Sequence, residues 1–153
     1  MNIREANLDD ITMLRKFEQG VIEAERPFDS QLKSGDIIYY DLEQLIADEK
    51  SLVVVAENDE NLCACGYVWI KSSKTYFKYD EYAYLGFMYV TPEFRGKGIV
   101  QLIINYLSDW SKAKGVCELQ LDVYDQNEPA IRAYEKLGFR KSTLMMRMAI
   151  ESV

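Results

Sequence analysis

Histidine is missing from all 153 residues. Catalysis through Ser-His-Asp or Cys-His is therefore excluded, and so is a zinc site built on imidazole; no metal is expected. Cysteine is scarce and odd in number, with Cys63, Cys65 and Cys117 and no CxxC pair. That usage reads as reduced thiols in a cytoplasmic protein rather than a disulfide framework. Cys63 and Cys65 alternate along one strand and are expected in the core, since a free thiol behaves as a small hydrophobe. No apolar run approaches the length of a membrane span, and Met1-Asn-Ile-Arg-Glu lacks a signal-peptide apolar region. Two phosphate-binding patterns are absent as well. Lys97 precedes Gly98 with no Ser or Thr behind it, so there is no Walker loop, and Gln101 stands where the third glycine of GxGxxG would fall.

Positive charge is in deficit, with 18 Lys and Arg against 25 Asp and Glu, a net of −7. Phosphate backbones would be repelled, so nucleic acid is not an expected partner. The deficit is uneven. Residues 1–90 carry 9 basic and 17 acidic side chains, and residues 91–153 carry 9 and 8. The first part suits a cation and the second an anion. A hydrophobic content of 48% with 28% charged residues is that of a folded globular chain, and the length fits a single domain over residues 1–153.

Ile3 to Ala6 is a short strand. Asp9 and Asp10 offer N-cap chemistry to a helix whose apolar residues Ile11, Leu14, Phe17 and Val21 fall at helical spacing, and Pro27 marks its end. Asp41 to Gln44 resembles a capping box for a second helix. Leu52–Ala56 and Leu62–Ile70 are strands joined by the turn Asn58-Asp-Glu-Asn61, hence antiparallel. Lys71 to Glu81 is a tyrosine-rich hairpin tip, and Tyr84 to Val90 is a strand apolar on both faces. Ile99, Leu102, Ile103, Tyr106, Leu107 and Trp110 give the clearest helical stripe in the chain, closed by Gly115. Cys117 to Tyr124 alternates as a strand with one packed face. Asn127 caps a last helix that carries Pro129 in its first turn and ends at Gly138. Phe139 to Ile150 supplies the final one or two strands. The order predicts a mixed α/β domain without regular βα alternation.

The chemistry concentrates in Val90-Thr-Pro-Glu-Phe-Arg-Gly-Lys-Gly-Ile-Val-Gln101. A strand runs through a proline turn into a glycine loop and then into the best helix. A helix start offers unpaired N–H groups and partial positive charge to a phosphate, and glycines let the backbone approach its oxygens. Arg95 and Lys97 add charge. A glycine turn before an ordinary surface helix, with both cations solvated, is the alternative reading of the loop by itself. The second segment is Asp125-Gln-Asn-Glu-Pro-Ala-Ile-Arg-Ala-Tyr-Glu-Lys-Leu-Gly-Phe139.

Together the two segments resemble the GNAT N-acetyltransferase superfamily. Arg95 to Val100 aligns with its Arg/Gln-x-x-Gly-x-Gly/Ala loop, with Val100 in place of the small residue. Asn127, Ala130, Tyr134, Gly138 and Phe139 match its later helix at every position. The resemblance implies a central, mostly antiparallel sheet whose middle strands splay around acetyl-CoA as co-substrate. It implies cofactor contacts from Met88, Val90, Arg95, Gly96, Lys97, Gly98, Val100, Gln101 and Asn127. It implies direct attack by a small-molecule or peptide amine in a ternary complex, with Tyr134 giving a proton to the leaving thiolate. The base is open among Glu81, Glu23, Glu25, Asp122 and a water chain, and Glu23, Glu25 and Tyr84 are candidate acceptor residues. The acidic portion forms the acceptor side in this arrangement, which favours a cationic amine, and Tyr76, Tyr79, Tyr82 and Tyr84 are candidates for its wall. A homodimer is compatible with the resemblance. A non-catalytic acyl-CoA-binding module of the same fold is the rival reading.

Overall fold

The computed structural model describes residues 1–151. The chain divides into two compact units, Met1–Asp122 and Val123–Val153.

The first unit is built on a five-stranded sheet in the order β1-β2-β3-β4-β5. Strand β1 (Asn2–Glu5) leads through a turn to helix α1 (Ile11–Glu25). Asn7 caps the turn before α1, its side chain accepting from the Asp9 N–H, and Asp10, the N-cap residue of α1, spends its carboxylate on the Asn7 N–H at 2.8 Å rather than on the helix. Arg4 adds a two-pronged ion pair to Asp10, both bonds 2.9 Å. Pro27 lies in the turn that ends α1, as its missing N–H requires. Asp41 caps α2 (Leu42–Ala47) through the Gln44 N–H. Strands β2 (Ser51–Asn58) and β3 (Asn61–Ser72) form the expected hairpin, its tight turn carried by Asp59 and Glu60 at positive φ. Strand β4 (Glu81–Val90) follows the 73–80 tip. Helix α3 (Ile99–Ala113) comes next, and Gly115, at φ 82°, closes it.

Residue alternation along β3 sorts the helices. Cys65 and Tyr67 face one side, where Leu14, Phe17 and Val21 of α1 and Leu42 and Leu45 of α2 complete a core with Val53, Val55 and Phe87. Gly66 faces the other side, where a Cβ would meet Ile103 of α3 and Met88, each at 2.8 Å. The sheet is antiparallel except at its last edge. There β5 (Leu119–Gln120) pairs parallel with β4 only at Ala83 and Tyr84. The strand expected over residues 117–124 is thus reduced to two residues, because beyond Tyr84 the strands part. This is the splay that the resemblance implied, in a mixed α/β fold with a mostly antiparallel sheet and flanking helices.

The second unit contains α4 (Glu128–Lys136). Asn127 caps it by accepting from the Ala130 N–H at 3.4 Å, Pro129 occupies the first turn, and Gly138 ends it at φ 108°. The strands expected within residues 139–150 do not form among the described residues. Alternating apolar residues supply strand propensity, but a strand exists only with a ladder partner.

Candidate active site

Strand β4 carries a bulge. Cys65 pairs with Tyr89 and Tyr67 with Gly86, so β4 spends two residues, Phe87 and Met88, opposite the single Gly66. Phe87 absorbs the irregularity at φ 56°, a left-handed conformation that costs a residue with a Cβ of order 1–3 kcal/mol. The buried Cys65 thiol donates to the Phe87 carbonyl at 3.4 Å, and burial pushes that thiol well up from its ordinary titration range. The outcome is that Phe87 joins the α1/α2 face while Met88 turns toward α3. Strain held at the centre of a splayed strand is characteristic of a functional position.

Directly after β4 comes the glycine loop. Gly96 and Gly98 both take left-handed conformations, at φ 76° and 77°, and no atom stands within 4 Å of where their Cβ would be. Gly98 is the N-cap of α3, and the first helical bond runs from the Leu102 N–H to the Gly98 carbonyl at 3.3 Å. The amides of Ile99, Val100 and Gln101 therefore have no helical acceptor. They lie at the positive end of a 15-residue helix, a setting that suits a diphosphate. Val100 is half-buried at the first turn and leaves its own amide in the row. Arg95 does not extend into the loop. Its Nε donates to the Val90 carbonyl at 2.9 Å and its guanidinium lies over the Tyr89 ring, so it braces the end of β4. Lys97 lies over the Phe94 ring on the exposed side of the loop.

On the α1/α2 face, the structure gathers an aromatic cluster. The Tyr40 ring stacks on Phe87 at 4.5 Å and meets Tyr67 at 5.7 Å, and Tyr67 meets Tyr84 edge-on at 6.4 Å. The Tyr84 hydroxyl donates to Asp122 Oδ2 at 2.7 Å. Glu18 holds the wall in place. Its fully buried carboxylate accepts from the Tyr39 and Tyr40 amides at 3.0 and 2.9 Å and from Arg15 at 3.1 Å. An irregular loop is thereby pinned to α1.

Glu25, at the end of α1, faces this group. Desolvation raises its carboxyl above the ordinary range, a hydrogen bond from Tyr39 works the other way, and Asp29 adds to the rise. Burial also raises the phenols of Tyr40, Tyr67 and Tyr84, and the neighbouring Asp122 carboxylate lifts the last two further. All three are neutral, donating phenols at physiological pH.

Of the candidate acceptor residues and bases, then, the fold brings Glu25, Tyr84 and Asp122 together. Glu23 points away, 72% exposed and paired with Arg26 at 3.3 Å. Glu81 is engaged by Lys50 at 3.5 Å. Tyr76 and Tyr79 are exposed at the hairpin tip and contribute nothing to the wall. Sequence reasoning missed Tyr39, Tyr40, Tyr67, Trp69 and Phe87. The alternation Cys65-x-Tyr67-x-Trp69 could have placed two of them on one face of β3, but the loop pair Tyr39–Tyr40 left no periodic signal. In the second unit, Tyr134 meets Phe139 edge-on at 5.8 Å, and Asn127 is the helix cap described above.

A bulged strand that parts from its neighbour thus feeds a glycine loop and a helix start, beside a cluster of aromatic and acidic side chains. The comparisons make this specific. The model of the Acetyltransferase (GNAT) family matches residues 17–139. The chain belongs to the GNAT acetyltransferase family.

Among curated relatives, an uncharacterized N-acetyltransferase of Bacillus subtilis, YdgE, is 29% identical over 82 residues, 54% of this chain and 51% of that protein. Thialysine N-epsilon-acetyltransferase of Sus scrofa is 38% identical over 72 residues, 44% of this chain and 42% of its own length. The chain thus spans about half the length of the curated relatives it matches. A tetramutant of the BH1408 protein of Bacillus halodurans superposes with a TM-score of 0.86 at 27% identity, over 98% of this chain and 100% of that one. A predicted acetyltransferase of Clostridium acetobutylicum, crystallised with acetyl-CoA, shares the fold with a TM-score of 0.76 at 22% identity, over 97% and 96% of the two chains. No helix among the described residues is long and apolar enough to cross a membrane.

Proposed function

We propose that this chain transfers the acetyl group of acetyl-CoA to a primary amine, a small cationic amine or a peptide amine, by direct attack in a ternary complex. The observation that carries the reading is the pair of left-handed glycines before α3, with nothing within 4 Å of their Cβ positions, followed by three amides that have no helical acceptor. The amides of residues 96–101 hold the diphosphate, with Lys97 adding charge. The backbone at Met88 and Val90 pairs with the pantetheine arm as an added strand would, and Asn127 bonds to the same arm. The bound thioester supplies the activated acetyl group. Met88 turns its amide to the thioester oxygen as charge develops there.

Glu25 takes the proton of the incoming ammonium, directly or through one water, and the neutral phenols of Tyr40, Tyr67 and Tyr84 orient that amine. Asp122 stays committed to Tyr84 and acts as a charge beside the site rather than as the base. Tyr134 returns a proton to the leaving sulfur, since a phenol is a competent donor to a thiolate. The names of the relatives, one of which acts on thialysine, support an amine acceptor. The buried, reduced Cys63 and Cys65 suit a cytoplasmic setting.

The test is CoA release with a panel of amines, with products read by mass spectrometry, for the wild type and Glu25→Gln. A base must be ionised, so activity falls as pH drops through the raised Glu25 titration. The Gln variant loses that acid limb and about 10²–10⁴ in kcat/KM. An unchanged limb removes Glu25 from its role. Acetyl-CoA binding without CoA release to any amine makes the chain the non-catalytic module instead.

A further inference from the structure

Glu18 is the most deeply buried carboxylate among the described residues, and with Arg15 it grips the backbone of Tyr40. Glu18 Oε2 accepts from the Tyr40 N–H at 2.9 Å and from the Tyr39 N–H at 3.0 Å. Arg15 Nη1 donates to the Tyr40 carbonyl at 2.9 Å and to Glu18 itself at 3.1 Å. Residues 36–41 belong to no helix or strand, so two side chains of α1 take the place of a ladder in fixing Tyr40. A carboxylate suits this task because it only accepts, whereas a glutamine would set an NH2 group against N–H donors.

Tyr40 carries this hold to β4. Its ring stacks on Phe87 at 4.5 Å, with the two planes 29° apart. Phe87 is the buried residue at φ 56°, in the bulge opposite Gly66, and its carbonyl accepts from the Cys65 thiol at 3.4 Å. A left-handed residue with a Cβ persists only where its surroundings over-determine it. Here the Tyr40 ring and the Cys65 thiol do so. Relaxation of Phe87 would turn the peptide that follows it, whose N–H belongs to Met88. We propose that Glu18 is a positioning residue for acetyl transfer: through Tyr40 it keeps Phe87 left-handed and so sets the direction of the Met88 amide. This rests on the acetyl-transfer reading above, in which that amide meets the thioester oxygen.

The test uses Glu18→Gln, Tyr40→Leu, Tyr40→Phe and the double variant Glu18→Gln/Tyr40→Leu. The measurements are kcat, calorimetric acetyl-CoA affinity, and amide hydrogen exchange across residues 85–90, with residues 81–84 of the same strand as the internal control. Acetyl-CoA affinity within about twofold of wild type confirms folding. Glu18→Gln should lower kcat and speed exchange across residues 85–90, each by roughly three- to tenfold, as loss of one stacked ring pair allows. Tyr40→Leu should do the same, and Tyr40→Phe, which keeps the ring, should exchange like wild type there. The double variant should be no worse than either single one, because the two residues act in series. A role confined to stability would lower the melting temperature and leave kcat and the exchange pattern unchanged, and that result overturns the proposal. So do additive losses in the double variant. Should Glu18→Gln fail to fold, the contrast between Tyr40→Leu and Tyr40→Phe decides. If no amine is acetylated, yet Glu18→Gln and Tyr40→Leu both loosen residues 85–90, the hold on the bulge stands and the acetyl-transfer reading falls.

Discussion

Replacing Gly98 by asparagine and by aspartate separates backbone strain from electrostatics at the start of α3. Gly98 sits at φ 77° with nothing within 4 Å of an added Cβ, so either side chain meets only the cost of the left-handed backbone. Asn and Asp both tolerate that conformation, at about 1 kcal/mol. For a chain of this size the melting temperature should drop by roughly 2–4 °C in each case. Charge then distinguishes them. A carboxylate about 5 Å from a phosphate charge, at an effective dielectric constant of about 20, opposes binding by about 3 kcal/mol. That is more than a hundredfold in dissociation constant. Isothermal calorimetry with acetyl-CoA should therefore show the Asn variant binding modestly less well than wild type and the Asp variant weaker by about two further decades. Added salt should narrow the gap, because the loop is open to solvent. Equal affinities for the Asn and Asp variants would refute an anion at the amides of residues 96–101.

Tyr134→Phe keeps the edge-on ring contact with Phe139 and removes only the hydroxyl. Turnover should fall about 10²–10⁴-fold while acetyl-CoA affinity changes far less, and an unchanged rate in a steady-state assay takes the proton donor elsewhere. Gly86→Ala puts a methyl 1.9 Å from Cε1 of the Tyr67 ring, which is 7% exposed and held between Tyr40 and Tyr84. The overpacking should cost about 1–3 kcal/mol, read as a melting temperature lower by roughly 3–10 °C, and should raise the acceptor KM. An unshifted melting temperature would mean that the ring yields without cost.

The two halves of the site differ in how far they could be read before folding. The glycine loop and helix start were legible because they are local. Glycines that reach positive φ, a proline turn and a helix start lie within twelve consecutive residues, and unpaired amides follow from any helix N-terminus. The same holds for the Asp41 and Asn127 caps, where a side chain bonds to an amide three residues on. The aromatic cluster is not local. Glu25 ends α1, Tyr40 lies in a loop held by Glu18, Tyr67 and Tyr84 come from neighbouring strands, and Asp122 follows β5. No spacing in the chain announces that group, and Glu23 and Glu25 look equally suited until the helix turns one outward.

Charge balance was legible as well, because a sum over side chains needs no geometry: residues 1–90 carry 9 basic and 17 acidic side chains. By itself, then, the sequence determined where turns, caps and helix starts fall, since those depend on backbone preferences over a few residues. Tertiary structure alone decided the bulge at Phe87, the two-residue length of β5 and the partners of Glu25, because strand register and desolvation arise only when distant segments pack together.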